Sequence, residues 1–143
     1  MIGQETGVLY NWETSSGCKW KPFGDDALHA KYKGEIKNGE PNGLGMMYNG
    51  YPLPDGLGEP ENFVCYLFMD PKSPSLRGKY FKGKYSVTYV GEWENGHTHG
   101  EGKYRFNTGV LWTGDFKKGL PWNIIETNQG RRIGRWVNGV KQK

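Results

Sequence analysis

Four groupings in the chain have residue types and spacings that could do chemistry. Gly78-Lys-Tyr-Phe-Lys-Gly83-Lys84 has the outline of a phosphate-cradling loop, in which glycines let backbone N–H groups approach an anion. The next residue is Tyr85, where magnesium would need a Ser or Thr hydroxyl, and the segment alternates like a strand instead of opening a helix. Nucleotide binding is not expected there. His97 and His99 stand two apart and could share a strand face as metal ligands do, but the sequence assigns them no third ligand, so structural roles are expected. His29 carries no sharper signal. Glu92, Glu94 and Glu101 have the chemistry of an acid and a base, yet they fall beside Lys103 and Arg105, where cross-strand ion pairing accounts for them. An open sheet also lacks the enclosed pocket that shifts proton affinities. Cys18 and Cys65 form no C-x-x-C pair, which excludes a thiolate metal site; two buried thiols are expected, with a disulfide as the alternative in an oxidising compartment. No catalytic residue, metal ligand or cofactor is expected, and the chain does not read as an enzyme.

The elements that carry these residues are set by repetition. A hexapeptide frame, Gly-x-aromatic/aliphatic-x-x-Gly, recurs as Gly34-Glu-Ile-Lys-Asn-Gly39, Gly91-Glu-Trp-Glu-Asn-Gly96, Gly114-Asp-Phe-Lys-Lys-Gly119 and Gly134-Arg-Trp-Val-Asn-Gly139. The last three begin 23 and 20 residues apart, the length of one β-hairpin with its connection. The first stands 57 residues ahead of the second, so 49–88 is read as an insertion or a degenerate repeat. Strand alternation places Tyr89, Gly91 and Trp93 on one face with Gly100, Gly102, Tyr104 and Phe106, and Val90, Glu92 and Glu94 on the other with Glu101, Lys103 and Arg105. A glycine opposite a ring leaves a slot in which the ring can lie on backbone. Five Asn-Gly pairs, at 38, 42, 49, 95 and 138, supply residues that tolerate the positive φ of tight hairpin turns.

Composition agrees with a thin sheet. The 143 residues include 23 glycines, a 35% hydrophobic share and a mean hydropathy of -0.79, with nine Tyr, six Trp and six Phe carrying the apolar content. Five prolines between Asn49 and Leu76 surround one apolar run, Phe63-Val-Cys-Tyr-Leu-Phe-Met69, expected to pair into the sheet and cover its aromatic face, with an exposed docking segment as the alternative. Asp25 to Ala30 admits a short helix. The net charge of +4 is divided unevenly: residues 1–102 hold 10 basic and 13 acidic residues, and residues 103–143 hold 9 and 2. An acidic partner should meet the C-terminal end. Met1 to Tyr10 lacks a basic start followed by an apolar run, so no signal peptide is read there. A cytoplasmic or peripheral membrane location is the default, with export if a leader precedes the chain.

The pattern Tyr-x-Gly-Glu-x-x-Asn-Gly-x-x-x-Gly-x-Gly, closest in Tyr89 to Gly102 and good in Tyr32 to Gly45, resembles the MORN (membrane occupation and recognition nexus) repeat family. His99 holds the family's usual His before Gly. The third repeat departs after Gly119, with Leu-Pro-Trp-Asn and Asn123 in the place of a Gly, and the fourth has Arg132 where Tyr is expected; both suit a terminal cap. The resemblance implies an all-β, elongated single-layer antiparallel sheet of tandem hairpins in one domain. Its parts would be a divergent N-terminal hairpin (1–30), a repeat (31–48), the insertion (49–88), a repeat (89–110), a divergent repeat (111–130) and a C-terminal cap (131–143). It also implies scaffolding, self-association or contact with a protein partner, with phospholipid binding often proposed for such repeats. Tyr89, Trp93, Tyr104 and Trp112 are the expected protein contacts, because a one-layer sheet should not hide every ring by itself. Arg131, Arg132, Arg135, Lys117 and Lys118 are the expected contacts to anionic phospholipid headgroups. Nucleic acid is not the expected partner. A third reading makes the chain the regulatory part of a larger enzyme.

Overall fold

In a computed structural model, residues 5–14, 17–26, 29–52 and 84–143 are described. Ten strands lie among them: β1 (Glu5–Thr14), β2 (Gly17–Lys21), β3 (Ala30–Lys37), β4 (Glu40–Pro52), β5 (Lys84–Glu94), β6 (His97–Phe106), β7 (Val110–Lys117), β8 (Leu120–Asn128), β9 (Arg131–Val137) and β10 (Val140–Lys141). They form one open antiparallel sheet in the order β10-β9-β8-β7-β6-β5-β4-β3-β1-β2. β4 pairs directly with β5, Gly43–Pro52 against Lys84–Trp93, so the two best repeats are sheet neighbours despite their distance in sequence. The apolar run Phe63–Met69, Cys65 and most of the phosphate-loop match lie outside the described residues.

Two-residue turns close the hairpins at Asn38-Gly39, Asn95-Gly96, Lys118-Gly119, Gln129-Gly130 and Asn138-Gly139, each with positive φ at both positions. That is the conformation whose twist matches antiparallel strands. Three of the five Asn-Gly pairs are therefore turns. Asn42-Gly43 and Asn49-Gly50 instead lie within β4, where Gly43, at φ 104°, falls in an interruption of the β3–β4 register. Lys118 and Gln129 take the left-handed position without being Asn, next to a glycine that supplies the second.

The N-terminal hairpin departs from consecutive pairing: β3 pairs with β1, which leaves β2 at the edge. The β2–β3 link packs on the outer side of β1. There Gly24 fits against the Tyr10 ring, Trp12 Nε1 donates to the Phe23 carbonyl at 2.8 Å, and His29 stacks on Trp12 with centroids 3.9 Å apart. The short helix expected over Asp25 to Ala30 includes residues 27–28, which lie outside the described residues; on either side of them the His29 N–H donates to the Asp25 carbonyl at 2.8 Å.

Two rows of residues cross the sheet in register. Gly7, Gly34, Gly45, Gly91, Gly102 and Gly114 are successive cross-strand partners from β1 to β7. Beside them run Leu9, Tyr32, Met47, Tyr89, Tyr104, Trp112 and Glu126. Every member of this second row is buried. The glycine row is what lets it lie down: a Cβ on Gly45 would fall within the Tyr32 ring, and one on Gly102 within the Tyr89 ring.

Candidate binding surfaces

The Tyr-x-Gly-Glu segment builds the same clamp twice. Tyr32 Oη donates to the Glu35 carbonyl at 2.6 Å while Glu35 Oε1 accepts from the Leu44 N–H at 2.6 Å. Tyr89 Oη donates to the Glu92 carbonyl at 2.8 Å, and Glu92 Oε2 accepts from the Glu101 N–H at 2.6 Å. The glutamate thus satisfies a backbone donor freed where the ladder is irregular, between Gly91 and Trp93 in the second copy. Glu92 is a structural acceptor in this role, not a partner for Lys103 or Arg105. Burial raises the phenols of Tyr32 and Tyr89 far above their ordinary range, reinforced by Glu35 in the first and by Tyr104 and Glu92 in the second. Burial also pushes Tyr104 up to about 12, against a lowering by its hydrogen bond with Thr98.

Tyr89, Trp93, Tyr104 and Trp112, expected to face a partner, are brought together as one packed cluster and are no more than 4% exposed. They meet mostly edge-on, Tyr89–Trp93 at 5.3 Å and Tyr104–Trp112 at 5.8 Å between centroids. The premise that one layer leaves rings open is corrected by the curl of the sheet. Edge strand β2 reaches the β5–β6 turn, where Trp20 Nε1 donates to the Gly96 carbonyl at 3.1 Å and its ring packs edge-on against Tyr32 and Trp93. These rings form the core.

The opposite face is open and mixed. One register row reads Val8, Lys33, Met46, Val90, Lys103, Thr113, Ile125 and Arg135. Its members are exposed, Val90 by 53% and Met46 by 44%. Glu92, Glu101 and Asp115 run beside it, beyond the glycine row. Between the two rows lies a groove of about 690 Å³ floored by Gly91, Gly102 and Gly114, with Val90, Lys103 and Thr113 on one wall and Glu101 and Asp115 on the other.

The five basic residues do not form one patch. Lys117 and Lys118 sit at the β7–β8 turn, Lys117 over the Trp122 ring at 4.6 Å, whereas Arg131 and Arg132 open β9 at the other end of the strands. A register shift beside Ile133 pairs Arg132 with Thr127 and Arg135 with Ile125, two residues of one β8 face. Arg132 and Arg135 thereby line a groove of about 370 Å³ with Lys143, a residue the sequence reading did not single out.

The histidines diverge in use. His99 Nδ1 accepts from the Lys118 N–H at 3.2 Å and its Nε2 stands 3.1 Å from Glu94 Oε2, while His97 lines a separate cavity. Among the described residues no three His, Cys, Asp or Glu side chains group as metal ligands would. Cys18 is disulfide-bonded and exposed, which corrects the expectation of a buried thiol.

Glycine-seated rings, a clamp built in two of the hairpins and strands joined in one register define a tandem-hairpin repeat module. The MORN repeat family model matches at residues 32–50 and 89–110, within the β3–β4 hairpin and across the β5–β6 hairpin. Repeats of this kind generally serve in binding. Among curated proteins, none matches the chain. No helix among the described residues is long and apolar enough to cross a membrane.

Proposed function

We propose that the chain is a non-catalytic interaction module whose outer face holds a protein partner, with the buried rings serving as its scaffold. The carrying observation is the groove along the glycine row. Its floor is backbone, one wall offers Val90, Lys103 and Thr113, and the other offers the carboxylates of Glu101 and Asp115. An extended segment with alternating apolar and charged side chains fits such walls. Affinity purification with the wild-type chain and with Val90→Asp and Lys103→Glu tests this, circular dichroism confirming that the exposed substitutions leave the fold intact. Both variants should lose the specifically retained protein; retention unchanged in both would refute the reading.

A second reading has its own observation, the Arg132, Arg135 and Lys143 groove, whose chemistry suits a phosphate headgroup. Each basic residue near an anionic surface contributes about 1 kcal/mol. Cosedimentation with anionic vesicles should therefore be salt-sensitive and fall sharply in Arg132→Ala/Arg135→Ala. Binding that ignores both salt and the variant would exclude it.

A further inference from the structure

We infer that the cavity between edge strand β2 and the β5–β6 hairpin is a site for a methylated ammonium head, a feature separate from the outer groove. It encloses about 90 Å³. That is the liquid share of about three waters, room for a small head group and not for a ring system. Trp20, Trp93 and Tyr104 line it, the two indoles perpendicular with centroids 6.0 Å apart.

The polar lining selects the sign of the ligand. Asn11 Oδ1 is buried in the lining and has no hydrogen-bond partner among the described residues. Asn11 lines the cavity from β1, the strand next to the edge, as the register partner of both Trp20 and Ala30. Glu40 brings a carboxylate to the mouth, so close to the β5–β6 turn that a Cβ on Gly96 would stand 3.1 Å from its Oε2 and 3.3 Å from Trp20 Nε1. The indole and phenol donors of the lining are already engaged. Trp20 Nε1 binds the Gly96 carbonyl, Trp93 Nε1 binds the Gly45 carbonyl at 3.1 Å, and the Tyr104 hydroxyl is shared with Thr98. No Lys or Arg lies among the described lining residues. Acceptors and π systems with no Lys or Arg among them favour an organic cation over an anion. The carboxylate at the mouth further favours a head carried on an aliphatic stem, as in trimethyllysine, over one carried beside a phosphate, as in phosphocholine.

The unpartnered Asn11 oxygen is the strongest part of the case. A buried acceptor without a partner opposes folding and would be better replaced by a hydrocarbon of similar size, unless something binds it. The test titrates the chain with trimethyllysine, phosphocholine, choline and the neutral carbon isostere of choline, 3,3-dimethyl-1-butanol, at matched ionic strength. The indole N–H resonances of Trp20 and Trp93 are the readout. Trimethyllysine and choline should give saturable shifts, with the neutral isostere about tenfold weaker and phosphocholine weaker than choline. Asn11→Leu should abolish the response while leaving the urea midpoint unchanged or raised; Glu40→Gln, at an exposed site, should weaken it severalfold. A neutral isostere as effective as choline, or binding that survives both substitutions, would overturn the assignment and leave a cavity that holds water alone.

Discussion

Two demands fall on the glycines, and at Gly102 and Gly130 they act separately. At Gly102 the backbone is ordinary, but the site of a Cβ is already taken by the phenol of Tyr89. At Gly130 nothing lies within 4 Å of a Cβ, and the demand is φ +82°. Substituting Ala at Gly130 should cost about 1–2 kcal/mol, the ordinary strain of a left-handed residue. At Gly102 the same change must expel a ring held by its hydrogen bond to the Glu92 carbonyl, so a loss at or above about 3 kcal/mol is expected. Urea denaturation of the two variants decides it, and equal midpoints would show that the ring row is not seated on glycine. The Tyr, Gly and Glu of the repeat are one unit at this scale: the ring needs the glycine, its hydroxyl caps a carbonyl, and the glutamate caps an N–H.

Hairpins are joined to one another at their turns by a bond that recurs with different chemistry. Asn42 Oδ1 accepts from the Asn95 N–H, His99 Nδ1 from the Lys118 N–H, and Asn123 Oδ1 from the Asn138 N–H, at 3.0, 3.2 and 3.0 Å. Alongside, the Gly96, Gly119 and Gly139 N–H groups each donate at 2.9 Å to the carbonyls of Pro41, Thr98 and Trp122. Asn123→Ala should therefore loosen the last hairpin alone, speeding amide exchange at Asn138 and costing about 1 kcal/mol, while exchange in β5 and β6 stays as it was. Uniform acceleration across the sheet would contradict this nearest-neighbour coupling. Asn123 also shows where sequence reading stops. Counting from Gly114 puts it in the place of a glycine, but β8 passes from Pro121 to Ile124 where β6 passes from Thr98 to Gly102, one residue fewer, and in space Asn123 does the work of His99. Strand parity at Tyr89, Trp93, Tyr104 and Lys103 was legible, because alternation is local. The place of β1 between β2 and β3 was not, since it depends on which strand matches the glycine row, and neither was the cavity, where the β1–β2 register joins Asn11 to Trp20 and the curl brings Trp20 to the β5–β6 turn beside Glu40.

Across the whole molecule, the ring row makes stability hostage to the phenols' protons. Tyr32, Tyr89 and Tyr104 lie in one contiguous row, and burial raises all three above the ordinary value of 10.0. A folded-state value above the unfolded one means that the native state holds its proton more tightly. The associated stability is fully present below the unfolded value and is lost as pH rises through the folded one. For Tyr104 that window runs from 10.0 to about 12, and two pH units correspond to a loss on the order of 3 kcal/mol. Tyr32 and Tyr89 add to the loss in the same direction. The chain should thus be insensitive to its phenols through neutral pH and unfold cooperatively in strong alkali, with tyrosinate absorbance appearing together with the loss of near-ultraviolet circular dichroism. Tyr104→Phe gives up the hydrogen bond to Thr98 but should flatten the fall of the urea midpoint within that window. Phenols that all titrate near their ordinary value while the sheet stays folded would mean that the row is open to water, and the burial on which the scaffold rests would be wrong with it.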